Sequence, residues 1–560
     1  MTLANPAHPD PAYLDYAATT PVDARVAARM AECLTSSGTF GNPGSVSHAY
    51  GAGANALVEG ARAQVAAAVG ATPEDIVWTS GATEANNLAL FGIANYYRDT
   101  GRHIVTSRAE HKAVLDPCRE LERRGWRVTY LVPDGDGLIH PAQVAEALRP
   151  DTVLVSLMHV NNETGVIQDI PEFAAICGRH GSARLHVDAA QSVGKIPVDF
   201  NGWGLDLLSL SAHKAYGPKG VGALAVSRRR RVQLQPLQFG GGQERNLRSG
   251  TVATHQVVGM GAAFELAAGA VREEPVRVAA LRRRLWEGLL PLGGVLRNGA
   301  PQHTVPQVLN VSFEEVEGES LLAGVRAVIA VSTGSACTSA THESSYVLRA
   351  LGRDERLAEA SLRFSLGRFS TAVDVDAAID AVGRAVRHLR HVAGLVPRAG
   401  QGAGTIGRAA HAADRGGSLP ESVAPQEQTS WHRPPNYNDL TWRHFSGVAY
   451  AGVLVGEDVH RGAAGSPGQG TWVQFDVQIG RAGAPTVQDA RFQAFGCPHV
   501  IALADWLAQN AVGREVVTLR GLPESVGGLR ERFDMPVEKL GRLLLVEDAW
   551  RAALASPYVT

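Results

Sequence analysis

An α/β layered fold with a mostly parallel sheet is the architecture that this 560-residue sequence predicts. Between residues 60 and 400, short apolar runs alternate with longer amphipathic segments such as "PEFAAICGRHG". The runs typical of buried strands are "EDIVWTSG", "HIVTS", "VTYLVP", "TVLVSLMHV", "RLHVDAAQ", "DLLSLSAHK" and "VGALAV". This alternation is the pattern of strands that are linked by helical crossovers.

The pattern then changes towards a smaller α+β domain. A helix ("VRVAALRRRLWEGLL") is followed by the strand run "TVPQVLNVSF", the helix "GESLLAGVRA" and the segment "STGSACTS". Next comes a stretch rich in Gly, Ala, Ser, Pro and Gln without hydrophobic period, which is typical of a flexible linker. The expected units are a large domain (1–265, its N-terminal segment contributing to the small domain), a small domain (266–397), a linker (398–436) and a C-terminal α+β domain (437–560).

Composition excludes several classes of protein. A formal net charge of −2 argues against broad binding to nucleic acid. No uninterrupted apolar stretch approaches the roughly 18 residues of a membrane span, and the N-terminus shows no signal peptide. The five cysteines form no C-x-x-C pair and no disulfide framework. These features predict a cytoplasmic protein without a membrane or nucleic-acid partner, and no metal site is expected.

Polar residues follow several predicted strands, where open α/β sheets bind ligands. Asp188 ends one strand, and Ser211, His213 and Lys214 end the next. Another strand leads into Ala82 and Thr83 at the start of a helix, where small residues and a hydroxyl favour a phosphate. A lysine, an acid and a phosphate cradle are what pyridoxal phosphate requires. The sequence therefore predicts this cofactor.

Residues 12–393 resemble the cysteine desulfurases of the NifS/IscS type, within the class V aminotransferase-like enzymes. The stretches that carry this resemblance are "YLDYAATTP", "FGNPGSVSHAYG", "TSGATEANNLAL", "EHKAVL", "HVNNETGVIQDI", "HVDAAQSVGKIPVD", "SAHKAYGPKGVGAL", "GGGQERNLRSGT", "STGSACTS", "SYVLRALG" and "SLRFSLGR". The resemblance implies the type I fold of pyridoxal-phosphate enzymes, with a mostly parallel seven-stranded sheet flanked by helices.

The resemblance also implies roles for individual residues. Lys214 matches the lysine that forms a Schiff base with the cofactor, Asp188 the partner of the pyridinium nitrogen, and His111 the histidine stacked on the ring. Gln191 matches the partner of the ring hydroxyl. The phosphate contacts match Ala82, Thr83, Ser211 and His213, with Thr251 contributed by a second subunit, which implies a homodimer. Asn162 lies near the cofactor and the substrate, and Arg363 matches the partner of the substrate carboxylate.

Cys337 lies among small residues in "STGSACTS". The resemblance makes it the catalytic nucleophile, acting with Lys214 and His111. Its thiolate attacks the sulfur of L-cysteine, which leaves alanine and a persulfide on the enzyme. A loop of small residues permits Cys337 to leave the pocket and reach a sulfur-acceptor or scaffold protein. A transient iron–sulfur cluster held through Cys337 is a further expectation.

The C-terminal domain resembles the iron–sulfur scaffolds of the IscU/NifU type. "GSPGQGTWVQFDVQI", "DARFQAFGCPHVIALADWLAQNAVG" and "PVEKLGRLLLVEDAW" match in order and spacing. The cluster ligands of that family are replaced here by Gln469, Thr471, Gly541 and Arg542, and only Cys497 remains. A helix N-terminus and His499 are expected to favour the Cys497 thiolate, which makes Cys497 a candidate sulfur acceptor. The alternative is a domain that only docks.

Several functions stay open at this stage. The leading prediction is a cysteine desulfurase that supplies sulfur for iron–sulfur clusters or other thio-products. The motifs do not separate it from a selenocysteine lyase, or from a desulfurase for the thiolation of tRNA or cofactors. A third alternative is a recruiting protein whose main role is partner binding by its tail.

Overall fold

The computed structural model describes residues 10–333, 344–395, 431, 433–456, 458–480, 484–519 and 521–555. Cys337 and most of the predicted linker at 398–436 lie outside these residues. Among the described helices, none is long and apolar enough to cross a membrane.

The strands and helices are numbered along the chain. The strands are β1 (Ala12–Tyr13), β2 (Ile76–Thr79), β3 (His103–Ser107), β4 (Arg127–Leu131), β5 (Thr152–Met158), β6 (Arg184–Asp188), β7 (Leu207–Ser211), β8 (Gly222–Val226), β9 (Val295–Asn298), β10 (Val308–Phe313), β11 (Ile329–Ala330), β12 (Ser361–Ser365), β13 (Val459–Ser466), β14 (Thr471–Gly480) and β15 (Thr486–Phe495). The helices are α1 (Ala24–Ala31), α2 (Ala49–Ala68), α3 (Ala82–Tyr97), α4 (Lys112–Arg123), α5 (Pro141–Ala147), α6 (Ile170–His180), α7 (Thr254–Ala270), α8 (Glu274–Leu289), α9 (Gly318–Val325), α10 (Tyr346–Ala350), α11 (Glu355–Glu359), α12 (Ala372–Val392), α13 (Asp439–Ser446), α14 (Pro498–Ala511), α15 (Val526–Arg532) and α16 (Leu540–Leu554).

The central sheet of the large domain has the strand order β2-β8-β7-β6-β5-β3-β4. It contains every run that the sequence predicts as a strand of this sheet, so that prediction is confirmed. Its pairings are parallel except that β8 runs antiparallel to both β2 and β7. Successive side chains of a strand point to opposite faces. Leu207 therefore joins a core with α3 and α4, and Leu208 joins a core with α6 and α7.

The small domain is built on the antiparallel sheet β12-β10-β9, against which α8 and α12 pack. The N-terminal strand β1 pairs with β11, so the start of the chain belongs to this domain. The C-terminal domain is an antiparallel sheet, β13-β14-β15, covered by α14 and α16. One hydrophobic cluster runs from the small domain into the C-terminal domain.

A buried carboxylate, Glu244, helps to fasten the segment 238–251 to the edge of the central sheet. Glu244 accepts hydrogen bonds of 2.8 Å from both terminal nitrogens of Arg62 and one of 2.9 Å from the Trp78 backbone N–H. Glu244 and Arg62 are both buried. Arg62 also contacts Glu59, whose side chain is 51% exposed. The buried carboxylate thus holds β2 and the segment that leads to Thr251.

We expect Glu244→Gln to loosen this edge of the sheet. The substitution leaves the buried Arg62 without its main counter-ion, which costs about 3 kcal/mol. Hydrogen exchange measured by mass spectrometry should then be about 100-fold faster in β2 and in residues 238–251. Glu59→Gln is the matched control, since an exposed partner contributes below about 1 kcal/mol. Equal exchange rates in the two variants would contradict this assignment.

Candidate active site

The start of α3 and the end of β7 lie side by side at the carboxyl edge of the sheet. Gly222, the first residue of β8, makes this approach possible. A Cβ on Gly222 would lie 2.5 Å from the Leu210 carbonyl oxygen and 2.7 Å from the Gly81 Cα. Ala82 and Thr83 therefore sit in the first turn of α3 next to Ser211. Free backbone N–H groups and the helix dipole make this corner suited to a phosphate.

Asp188 is the last residue of β6 and is buried. Its carboxylate accepts hydrogen bonds of 2.7 Å from the Asn86 amide on α3 and 2.9 Å from the Ala190 backbone N–H. These contacts fix the carboxylate at the strand end. Because a carboxylate has about four acceptor positions, Asp188 keeps capacity for a further donor. The position and chemistry suit the ring nitrogen of pyridoxal phosphate.

Two histidines at the site are held in the neutral form. His111 is the N-cap of α4, and its Nδ1 accepts a hydrogen bond of 3.0 Å from the Ala113 N–H. Burial lowers the pKa of His111, and the neighbouring Lys214 lowers it further. Burial, again with Lys214, lowers the pKa of His213 to about 4. Both rings can therefore lie near a cofactor without adding positive charge.

Lys214 follows His213 directly and acts electrostatically on His111, His213 and Lys195. Gln191 lies nearby on the turn after β6. The Gln191 amide nitrogen donates to the Ala17 carbonyl at 2.8 Å, and its amide oxygen accepts a hydrogen bond from the buried Lys195 ammonium. The structure thus brings four kinds of predicted side chain into one cluster: Lys214, Asp188, Gln191 and the histidines His111 and His213.

The cluster fits pyridoxal phosphate on a test that is independent of motifs. The side-chain oxygens of Ser211 and Asn162 are buried, and neither has a hydrogen-bond partner among the residues that the structure describes. Buried polar atoms are normally satisfied, so unpaired ones need an explanation. Ser211 is the residue predicted to contact the phosphate, and Asn162 the one predicted near the ring and the substrate. Donors and acceptors of the cofactor would satisfy both.

Arg363, on β12, lies 3% exposed where the small domain meets the large one. One terminal nitrogen donates to the Asn162 carbonyl at 2.8 Å. The other donates to Asp15 at 2.8 Å and to the Ser332 hydroxyl at 3.1 Å. Its Nε is buried without a partner among the described residues. A planar cation with an unused donor suits the carboxylate of a substrate.

Both flanks of the segment that carries Cys337 are attached to this site, although Cys337 itself lies outside the described residues. On one side, Ser332 donates to Asp15 at 2.8 Å and accepts from Arg363. On the other side, the Ser345 hydroxyl donates to Glu163 at 2.5 Å. Glu163 is next in sequence to Asn162 and is 3% exposed. The chain therefore leaves and returns beside the predicted carboxylate-binding arginine.

Thr251 is not part of this cluster within the described residues. It is exposed, and no hydrogen bond of the described chain ties it to the other predicted phosphate contacts. Its neighbour Gly250 is held by the Gln243 side chain at 2.8 Å. The prediction that Thr251 serves a second subunit remains open.

The expectation that Cys497 is a stabilised thiolate is wrong. Cys497 is the N-cap of α14 and is 0% exposed. Burial raises the pKa of its thiol, and the carboxylate of Glu319 in the small domain adds to this effect. His499 does not offset it, because burial and Lys539 lower the pKa of His499 to about 4. Among the described residues, no three His, Cys, Asp or Glu side chains are grouped to hold a metal.

Four residues of the site were missed in the sequence. Asp15 and Asn86 each contact a predicted residue from a distant part of the chain, and Glu163 and Lys195 are buried ionisable groups within matched motifs. Glu163 and Lys195 could have been singled out, because an ionisable residue in an otherwise buried segment is unusual. Asp15 and Asn86 also lie within matched motifs, but their contacts join parts of the chain that are distant in sequence.

Comparison with known proteins agrees with this geometry. Residues 12–378 match the family described as aminotransferase class-V, and residues 436–556 match the NifU-like N-terminal domain. Cysteine desulfurase IscS of Proteus mirabilis is 54% identical over 385 residues, which are 69% of this chain and 95% of that protein. The corresponding protein of Aeromonas hydrophila is 55% identical over the same shares of both chains.

Solved structures give the same result. A NifS-like protein that is 35% identical covers 67% of this chain and 99% of its own, with a TM-score of 0.62. SspA in complex with cysteine is 38% identical, with 64% and 99% covered and a TM-score of 0.57. DndA from Streptomyces lividans is 46% identical, with 63% and 99% covered and a TM-score of 0.55. This chain therefore belongs to the cysteine desulfurases of the class-V aminotransferase family and carries a NifU-like domain at its C-terminal end.

Proposed function

We propose that this chain is a pyridoxal-phosphate-dependent cysteine desulfurase that converts L-cysteine to L-alanine and leaves the sulfur as a persulfide on Cys337. One observation carries the proposal: the segment bearing Cys337 starts and ends beside Arg363, at the edge where Lys214, Asp188 and His111 meet. A thiolate on that segment can reach a substrate whose carboxylate lies on Arg363. The NifU-like domain supports a role of the sulfur in iron–sulfur cluster assembly.

Each residue of the cluster has a defined task. The cofactor, when bound, takes up the substrate amino group and withdraws electrons from its α-carbon. Asp188 would hold the ring nitrogen, and Lys214 would anchor the aldehyde carbon and then move protons at the substrate. Neutral His111 can pack on the ring. Arg363 would orient the substrate by its carboxylate.

The sulfur step balances without an external oxidant or reductant. The Cys337 thiolate attacks the substrate sulfur, and a sulfur–sulfur bond forms as the carbon–sulfur bond breaks. The electron pair of the broken bond stays on carbon, which takes a proton to become the methyl group of alanine. The persulfide sulfur is then available to an acceptor, and an iron–sulfur cluster held for a time through Cys337 would be cargo of that step.

We infer a homodimer from the exposure of Thr251 and of large apolar side chains near it. Phe239 is 76% exposed and Leu237 is 41% exposed in the segment that leads to Thr251. Phe40 and Tyr50 form a second exposed aromatic pair, with ring centroids 5.3 Å apart. Exposed apolar groups of this size favour a protein contact. Sedimentation analysis of the full chain measures the mass directly.

We further propose that the NifU-like domain docks on the small domain of its own chain. Tyr437 donates to Glu319 at 2.9 Å, and Lys539 forms an ion pair with the same carboxylate. The Ser320 hydroxyl donates to the Gly496 carbonyl at 2.8 Å. The Nε2–H of His388 on α12 donates to the Phe445 carbonyl at 2.9 Å. These contacts and the shared apolar cluster support docking over sulfur transfer to Cys497, which is enclosed in the interface.

Cys337→Ser is expected to abolish the formation of sulfide and alanine from L-cysteine while the visible absorbance of the bound cofactor remains. Lys214→Ala should lose both the activity and that absorbance. After treatment with L-cysteine, mass spectrometry should find the persulfide on Cys337 of the wild type. Cys33→Ser is the control, because Cys33 is buried and is distant in sequence from both Cys337 and Lys214. Activity of Cys337→Ser equal to wild type would refute the proposal, and a persulfide on Cys497 would refute the docking-only role.

Glu163→Gln is expected to stabilise the protein at pH 8 more than at pH 5. Burial raises the pKa of Glu163 to about 7, above its ordinary value of 4.5. The folded state therefore binds more protons than the unfolded state between these values, and wild-type stability falls as the pH rises through them. Gln resembles the protonated carboxyl and avoids this loss, which reaches about 3 kcal/mol.

Thermal unfolding at both pH values measures the Glu163 effect. Glu163→Ala is the comparison, because it removes the acceptor of Ser345 and should destabilise at both pH values. A difference between wild type and Glu163→Gln that does not change with pH would contradict the assignment.

Lys539→Glu is expected to release the NifU-like domain, because two acidic side chains then face each other in the interface. Hydrogen exchange should increase in α9 and α13, and the radius of gyration from X-ray scattering should rise. The double variant with Glu319→Lys should restore docking, since the ion pair is reversed. Arg443→Glu makes the same change of charge at an exposed position of α13 and should have no effect. If Lys539→Glu and the control Arg443→Glu both release the domain, a specific ion pair is contradicted.

A further inference from the structure

A second lysine, Lys195, lies behind the cofactor lysine. Lys195 is 8% exposed and borders the same small cavity as Lys214. No carboxylate forms an ion pair with Lys195 among the described residues. A buried lysine is normally paired with an acid, because the protein interior solvates an isolated charge poorly. The Lys195 amine instead donates a hydrogen bond to the side-chain oxygen of Gln191.

The hydrogen bonds of Gln191 leave one N–H donor of its side-chain amide unused. A primary amide has one oxygen and two N–H donors. Lys195 occupies the oxygen, and the Ala17 carbonyl accepts one N–H at 2.8 Å. Rotating the amide by half a turn would bring its oxygen against the Ala17 carbonyl and its NH2 group against the Lys195 side chain. The contact between the two oxygens is unfavourable in either charge state of Lys195, and the contact of NH2 with the ammonium form is unfavourable as well. The orientation is therefore fixed, and one N–H remains for a ligand.

We propose that Lys195 is a positioning residue that locks the Gln191 amide with its remaining N–H towards the cofactor. Gln191 then always donates to the ring oxygen of the cofactor and never presents its own oxygen to it. This inference rests on the proposed cofactor site. It adds a residue that does not touch the cofactor itself and acts through Gln191.

The electrostatic surroundings agree with this role. Burial, together with the cations Lys214 and Arg363, lowers the pKa of Lys195 to about 7. The lysine is therefore partly neutral near pH 7. An ammonium and a neutral amine both carry N–H groups, so the hydrogen bond to Gln191 persists in either form. A purely structural lysine would affect stability without affecting the electronic state of the cofactor.

Lys195→Met in the holoenzyme tests the proposal. The variant keeps an unbranched side chain that is one heavy atom shorter and has no amine, so it releases the Gln191 oxygen. A ring oxygen that loses its donor holds the neighbouring proton more tightly. The pH at which the visible band of the bound cofactor titrates should therefore rise by about one pH unit. The dissociation constant for pyridoxal phosphate, measured by fluorescence, should increase about tenfold.

A double-variant cycle identifies the route of the effect. In a Gln191→Met background, Lys195→Met should move the titration by less than about a third of the original shift. Lys219→Met is the matched control, because Lys219 is exposed and also acts electrostatically on His213. It should leave the titration unchanged, since its charge is screened by solvent.

The outcomes separate this inference from the proposed function. If Lys195→Met leaves the titration unchanged, or if the full shift persists in the Gln191→Met background, the inference is overturned. If the wild type binds no pyridoxal phosphate, or if Lys214→Ala keeps the same visible band, the proposed cofactor site fails instead. Thermal unfolding of Lys195→Met shows whether the variant is folded, and its spectrum is interpreted on the folded fraction.

Discussion

The buried guanidinium of Arg363 joins parts of the chain that lie far apart in sequence. It donates hydrogen bonds to Asp15 in the N-terminal segment and to the carbonyl of Asn162, which follows β5. It also donates to the hydroxyl of Ser332, where the chain leaves towards Cys337. A buried cation is stable only when its partners surround it. The position of each of these segments therefore depends on the others. The N-terminal strand must pair with the small domain before the substrate side of the site is complete.

The charges around the site favour an anionic ligand. Lys195, Lys214 and Arg363 lie close together, and burial lowers the pKa of Lys195, with repulsion from the other two cations adding to the effect. His111 and His213 stay neutral because burial and Lys214 lower their pKa. A phosphate and a carboxylate would add negative charge beside these cations. The same cations would attract other small anions, so selection depends on the fixed acceptors and donors around them.

The sequence predicted the sheet and most of the site for a physical reason. Runs such as the one that forms Leu207–Ser211 are apolar because both faces of the strand are covered, and polar residues appear where the strand ends. Asn86 escaped this logic, since its partner Asp188 is brought close only by the fold. Lys195 was missed although its partner Gln191 lies only four residues before it in the sequence. The expectation for Cys497 failed for the same reason that Asn86 was missed. Burial raises the pKa of the Cys497 thiol, and the carboxylate of Glu319, which belongs to another domain, raises it further.

The loss of cluster ligands and the docking of the NifU-like domain are two aspects of one change. Arg542 occupies a position where the resembled scaffolds have a cysteine, and it faces Glu317 and Glu319 at 4.0 Å and 3.7 Å. A thiolate at this position would place a third negative charge beside two carboxylates in a buried interface. The guanidinium instead interacts electrostatically with Cys497 and the two acids. Because both domains belong to one chain, this contact forms independently of protein concentration. A domain held in this way is suited to shaping the surface of the desulfurase rather than to carrying a cluster away from it.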